Sequence, residues 1–131
     1  MPQISWVAVL VATLAGFALG AAWYGPLFGK AWMRAVGLTQ EQLAKFNPAV
    51  TYGTTFLWAL VTAVVLGAEL GEAPGIKWST ACGAAIGALF VLPSIATNYL
   101  FEGKPFLLTA INGGYHVVRF GLMGLVFGLL A

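Results

Sequence analysis

The chain has 131 residues, 60% of them hydrophobic and only 8% charged, with a formal net charge of +2. Ordinary soluble domains are roughly a quarter charged, so this composition excludes a soluble globule and predicts an all-α integral membrane protein, one domain over residues 1–131 with about four spans of ~20 residues each. The charges form no basic run, which argues against nucleic acid as a partner, and the lone Cys82 rules out an intrachain disulfide or a paired-cysteine metal motif.

The first span is expected at about 4–24. It lacks a basic leader and is longer than a ~7–15-residue signal core, so it reads as a retained transmembrane helix. Trp6 at one end and Trp23-Tyr24 at the other read as interface anchors. Ala12, Gly16 and Gly20 repeat at i, i+4 and i+8, the small-residue spacing of a close helix contact, within the chain or across a subunit boundary. Gly25-Pro26 is expected to end this helix and Pro26 to open a short one that Gly37 closes. That short helix carries Leu27, Phe28, Ala31, Trp32 and Ala35 on one side and Lys30 and Arg34 on the other. Such an amphipathic segment suits the headgroup layer; an ordered loop packed on its own bundle is the alternative. Thr39-Gln40-Glu41-Gln42 has capping-box spacing, predicting a further turn or two of helix up to Phe46 before Asn47-Pro48 breaks it.

The second span, about 49–70, places Thr51, Thr55, Trp58 and Thr62 on one face, hydroxyls that bond across helices or back to their own carbonyls. Gly71 to Gly75 make a tight turn. The third span, about 77–100, carries Gly83 and Gly87 and then Pro93, which frees the Leu89 carbonyl and is expected to kink the helix. The fourth span, about 106–130, holds Asn112, Tyr115, His116 and Arg119 at i, i+3, i+4 and i+7, so all four share one face. The fold predicted is therefore two hairpins of four transmembrane helices with an amphipathic interfacial helix between the first and second. Lys30, Arg34, Lys45 and Lys104 lie on one side against Lys77 on the other, so the positive-inside rule puts the first and third loops in the cytoplasm and both termini outside the cell membrane. Tyr24-Gly25-Pro26-Leu27-Phe28-Gly29-Lys30 is weakly echoed by Tyr99-Leu100-Phe101-Glu102-Gly103-Lys104 on the same side, as a duplicated hairpin would give.

Three segments carry a resemblance: Trp23-Tyr24 with Pro26 to Met33, Thr97 to Lys104, and Ile111 to His116. In these the chain resembles the small four-helix bacterial membrane proteins grouped as domain of unknown function 1761. What the resemblance implies is fold class and membrane location, not an activity.

Arg119 is the strongest functional signal. A charge near mid-span costs about 2.5–3.5 kcal/mol on insertion scales, so it faces a bundle interior or a cavity and marks either a ligand path or a structural pin between helices. It is expected to be held by the second and third spans, with Glu69 as its candidate carboxylate. His116, whose ordinary pKa near ~6.5 permits titration, reads as a proton-relay or ligand group or as a packing histidine. One His, a distant Cys and loop carboxylates make no metal site, and no nucleophile–base set or phosphate-cradling loop is present, so no metal, cofactor or enzyme activity is expected. The leading functional reading is a small transporter or channel whose path is lined by Asn98, Asn112, Tyr115, His116 and Arg119, taking a small polar or anionic ligand. The alternative is a non-transporting structural or partner-binding membrane protein in which the same stripe holds the bundle together. Ala12/Gly16/Gly20, Gly83/Gly87 and Gly121/Gly124/Gly128 supply more close-packing faces than one bundle obviously uses, predicting a homodimer or higher homo-oligomer.

Overall fold

Each long apolar segment forms one continuous helix in the computed structural model, which describes residues 3–131 and has no strand among them. Helix α1 spans Trp6–Ala22, α2 Gly29–Val36, α3 Gln40–Ala44, α4 Pro48–Leu70, α5 Ile76–Ile86, α6 Leu92–Glu102 and α7 Phe106–Leu130. A π-helical turn at Trp23–Leu27 prolongs α1, and another at Gly87–Val91 joins α5 to α6. Four stretches are therefore long and apolar enough to cross a membrane: Trp6–Leu27, Pro48–Leu70, Ile76–Glu102 and Phe106–Leu130. These agree with the expected spans to within a few residues.

The local signals act as their chemistry requires. Thr39 and Gln42 form a reciprocal capping box at α3, and the Asn47 carboxamide oxygen accepts from the Ala49 and Val50 amides ahead of α4, with Pro48 in the first turn. Gly37 closes α2 in the left-handed conformation at φ 75°. One expectation fails: Gly25-Pro26 does not end the first helix. Pro26 has no N–H and its ring crowds the carbonyl four residues back; the wider π-turn accommodates both, and the chain bonds five residues back instead, Phe28 N–H to Trp23 O at 2.8 Å. Pro93 has the same effect on the third span, where the Leu92 N–H donates to the Gly87 carbonyl. The expected kink is thus a π-turn just before the proline.

Helix α7 is the hub, packed on α1 along one side and on α5 and α6 along the other, while α4 packs chiefly on α1. The α5/α7 contact is a backbone-to-backbone approach: a Cβ at Gly83 would strike the Phe120 carbonyl, and one at Gly124 the Ser79 carbonyl. On the α1 side a Cβ at Gly16 would meet Arg119 and one at Gly20 the Tyr115 hydroxyl. Gly87 lies against His116 and Val117, Gly121 against Ala84, and Gly128 against Ile76 and Ser79. The three small-residue faces that led to the expectation of self-association are all occupied inside one chain, so they are not free for a second copy.

The main core lies towards the end that holds the termini: Ala8, Val9 and Ala12 of α1, Ala63 and Leu66 of α4, and Phe120, Met123, Val126 and Phe127 of α7. A smaller cluster, Ala35, Leu108 and Ile111 with Trp23, Tyr24, Trp32 and Tyr99 against it, ties α2 to α7 at the opposite end. Between Pro48 and Trp58, by contrast, α4 is exposed all round except at Phe56, whose ring lies 5.7 Å from that of Phe17.

Candidate functional site

Because α7 carries Asn112, Tyr115 and Arg119 on one face and α1 carries glycine at two successive turns opposite, the polar side chains of α7 have room to lie against the α1 backbone. Tyr115 donates its hydroxyl to the Gly16 carbonyl at 2.9 Å, and the Arg119 side chain packs over Gly16 itself. One turn further, the π-turn brings Trp23 and Tyr24 against α7. The Trp23 indole N–H donates to the Ile111 carbonyl at 2.9 Å, and the Tyr24 hydroxyl donates to Asn112 Oδ1 at 2.6 Å. From the other flank Tyr99 of α6 accepts from Asn112 Nδ2 at 2.7 Å. The Asn112 carboxamide is therefore clasped between two tyrosines, the paired positions of the Tyr24-to-Lys30 and Tyr99-to-Lys104 echo.

Below this clasp the aromatic rings form a column. Trp32 meets Tyr24 edge-on with centroids 5.9 Å apart, Tyr24 meets Tyr115 edge-on at 5.3 Å, and the Arg119 guanidinium lies 6.0 Å from the Tyr115 ring and 4.8 Å from that of Phe120. Stacking on these π-faces contributes about 0.5–2 kcal/mol to holding the cation. At the Trp32 end of this column lies an open depression of about 340 Å³, with Tyr24 in its lining beside Lys30, Trp32, Met33, Gln40 and Leu43.

Arg119 does not have the partners expected for it. Its side chain makes a long hydrogen bond from Nη1 to Met123 Sδ at 3.9 Å, and its buried Nε has no acceptor. Glu41, Glu69, Glu72 and Glu102 are all exposed. The expectation that the second and third spans would hold Arg119 is therefore corrected: α1 does so, because Gly16 leaves space for the side chain there. Neither does Arg119 face outward, being half-buried in the α1/α7 seam. His116 is also half-buried, its ring 5.2 Å from that of Tyr115, and its Nδ1 is buried without a partner. Asn112, Tyr115, His116 and Arg119 thus sit together, whereas Asn98 is exposed on α6 and its neighbour Tyr99 makes the contact to Asn112.

Sequence reasoning missed Trp23, Tyr24 and Tyr99 as members of this cluster, reading the first two as interface anchors. The echo that aligned Tyr24 with Tyr99 was the available signal. Among the described residues no group of three or more His, Cys, Asp or Glu stands close enough to hold a metal ion.

Among the described residues the fold is all-helical, with four helices long and apolar enough to cross a membrane and a polar seam along the hub helix, which defines a class of small helical proteins with membrane-length apolar helices. The particular family follows from a family model described as "Protein of unknown function (DUF1761)", which matches residues 7–128; the chain belongs to that family. No curated protein and no solved structure matches the chain.

Proposed function

We propose that the chain is a multi-pass protein of the cell membrane in which the α1/α7 seam forms a cation-centred site for a small anionic or polar neutral solute, giving it a transporter-like or channel-like role. The observation that carries this reading is Arg119: a guanidinium at mid-helix with an unpartnered Nε and no carboxylate beside it. A charge placed there costs several kcal/mol unless something compensates it, and intramembrane cations that chain carboxylates do not neutralise commonly mark a path for a solute. Lys30, Arg34, Lys45 and Lys104 gather at the α2 end, which supports an orientation with that end in the cytoplasm and both termini outside.

The test is binding in lipid nanodiscs, scanning a panel of anions and polar neutral solutes by thermal shift on the native chain and on Arg119→Lys and Arg119→Leu. The expected result is a shift that Arg119→Leu abolishes. A panel in which no solute acts through Arg119 would count against the proposal. It would leave the second reading, a non-transporting protein whose polar stripe serves the bundle, which the Tyr24–Asn112–Tyr99 clasp and the Tyr115–Gly16 bond favour.

A further inference from the structure

We infer that the solute held at Arg119 is an organic monoanion, a carboxylate carried on an apolar or aromatic body; this rests on the reading of Arg119 as a binding site. Three features of the seam select that class.

The first is charge. One guanidinium lies in the seam and all four glutamates are exposed. A single negative charge neutralises the site, whereas a dianion would leave an excess charge with no second cation in the seam to meet it.

The second is donor geometry. Arg119 Nε is buried without a partner, Nη2 donates to no side chain or carbonyl among the described residues, and Nη1 has only the Met123 thioether, a weak acceptor, so the Nε–Nη2 edge that fits a carboxylate bidentately is unsatisfied. Other donors nearby are already engaged: Trp23 Nε1 on Ile111 O, the Tyr24 hydroxyl on Asn112 Oδ1, Asn112 Nδ2 on the Tyr99 hydroxyl oxygen, and the Tyr115 hydroxyl on Gly16 O. A strongly hydrated inorganic oxyanion needs several donors to replace its water; a carboxylate needs the one fork.

The third is the wall. The guanidinium lies against Phe120 and Tyr115, and the rings of Tyr115, Tyr24 and Trp32 continue at 5.3 Å and 5.9 Å towards the open depression at the α2 end. An apolar body lies along such a column at a gain in buried surface, while a small hydrated anion finds no replacement there for its water.

The experiment is a thermal-shift and tryptophan-fluorescence titration of the full chain in zwitterionic nanodiscs. The probes are acetate, butyrate, 4-phenylbutyrate, 4-phenylbutanol, sulfate and chloride. The expected result is stabilisation that rises from acetate to 4-phenylbutyrate, with no response to 4-phenylbutanol, sulfate or chloride. Arg119→Lys, which keeps the charge and loses the fork, should weaken 4-phenylbutyrate by about tenfold or more, a factor that corresponds to ~1.4 kcal/mol. It also keeps the test valid should Arg119→Leu fail to fold. An Arg119-dependent response to sulfate or chloride without one to the carboxylates overturns the inference and leaves the site standing, as does equal binding of 4-phenylbutanol. Absence of any Arg119-dependent response overturns both.

Discussion

Asn112 is held from two helices by one carboxamide, its oxygen accepting from Tyr24 and its nitrogen donating to Tyr99. Replacing it strands two hydroxyls in apolar surroundings, whereas losing either tyrosine hydroxyl leaves the amide one bond. Asn112→Leu should therefore destabilise the fold by about 1–3 kcal/mol, and Tyr24→Phe and Tyr99→Phe by less, roughly ~0.6 kcal/mol each as for typical bonds between membrane helices. Denaturant titration in mild detergent measures this; equal losses for all three variants would mean that the clasp is not a unit. The stripe containing Asn112 was legible from its spacing on α7, because helical periodicity depends on the sequence of one segment alone. The partners were not, since Trp23 and Tyr24 reach α7 only because the π-turn swings them round, and no periodicity rule sees that turn.

At the scale of the helices, glycine separates crossings from open faces. A Cβ at Gly83 would collide with the Phe120 carbonyl, a backbone atom that cannot move without parting α5 from α7. A Cβ at Gly53 in α4 meets nothing within 4 Å. Gly83→Ala should therefore lower the melting temperature sharply or abolish folding. Gly53→Ala should raise stability by about 0.5–1 kcal/mol, because alanine restricts the unfolded chain and favours helix. Loss of stability in Gly53→Ala would show that α4 has a close neighbour at that point. The small-residue spacing was read correctly as a contact signal for Ala12, Gly16 and Gly20, and for Gly83 and Gly87. The sequence could not say which helix each face meets, so Arg119 was paired with the second and third spans when the space for it lies on α1. The four long helices themselves were legible almost to their ends, because hydropathy over ~20 residues sets them without reference to any neighbour.

The whole molecule is asymmetric along its length. Towards the termini α1, α4 and α7 share a core in which Ala12 and Ala63 have no exposed surface. Towards the α2 end, the first turns of α4 stand away from the hub with Thr51, Tyr52, Thr54 and Thr55 exposed, and α6 exposes Ser94, Thr97 and Asn98. The hydroxyls of Thr55, Ser94 and Thr97 bond back to carbonyls one turn earlier, so these helices satisfy themselves without neighbours. Arg119 lies where the packed half gives way to the open one, which is where a solute entering from the α2 end would meet a charge. If water fills the open half, a thiol there ionises and reacts, while a thiol facing lipid or buried in the core does not. In a Cys82→Ala background in nanodiscs, a charged maleimide should label Thr55→Cys quickly. It should leave Val61→Cys, on an exposed apolar face of the same helix, and Ala63→Cys, inside the core, largely unmodified. Thr55→Cys as inert as Val61→Cys would place lipid or protein against the first turns of α4 and show that water does not reach them.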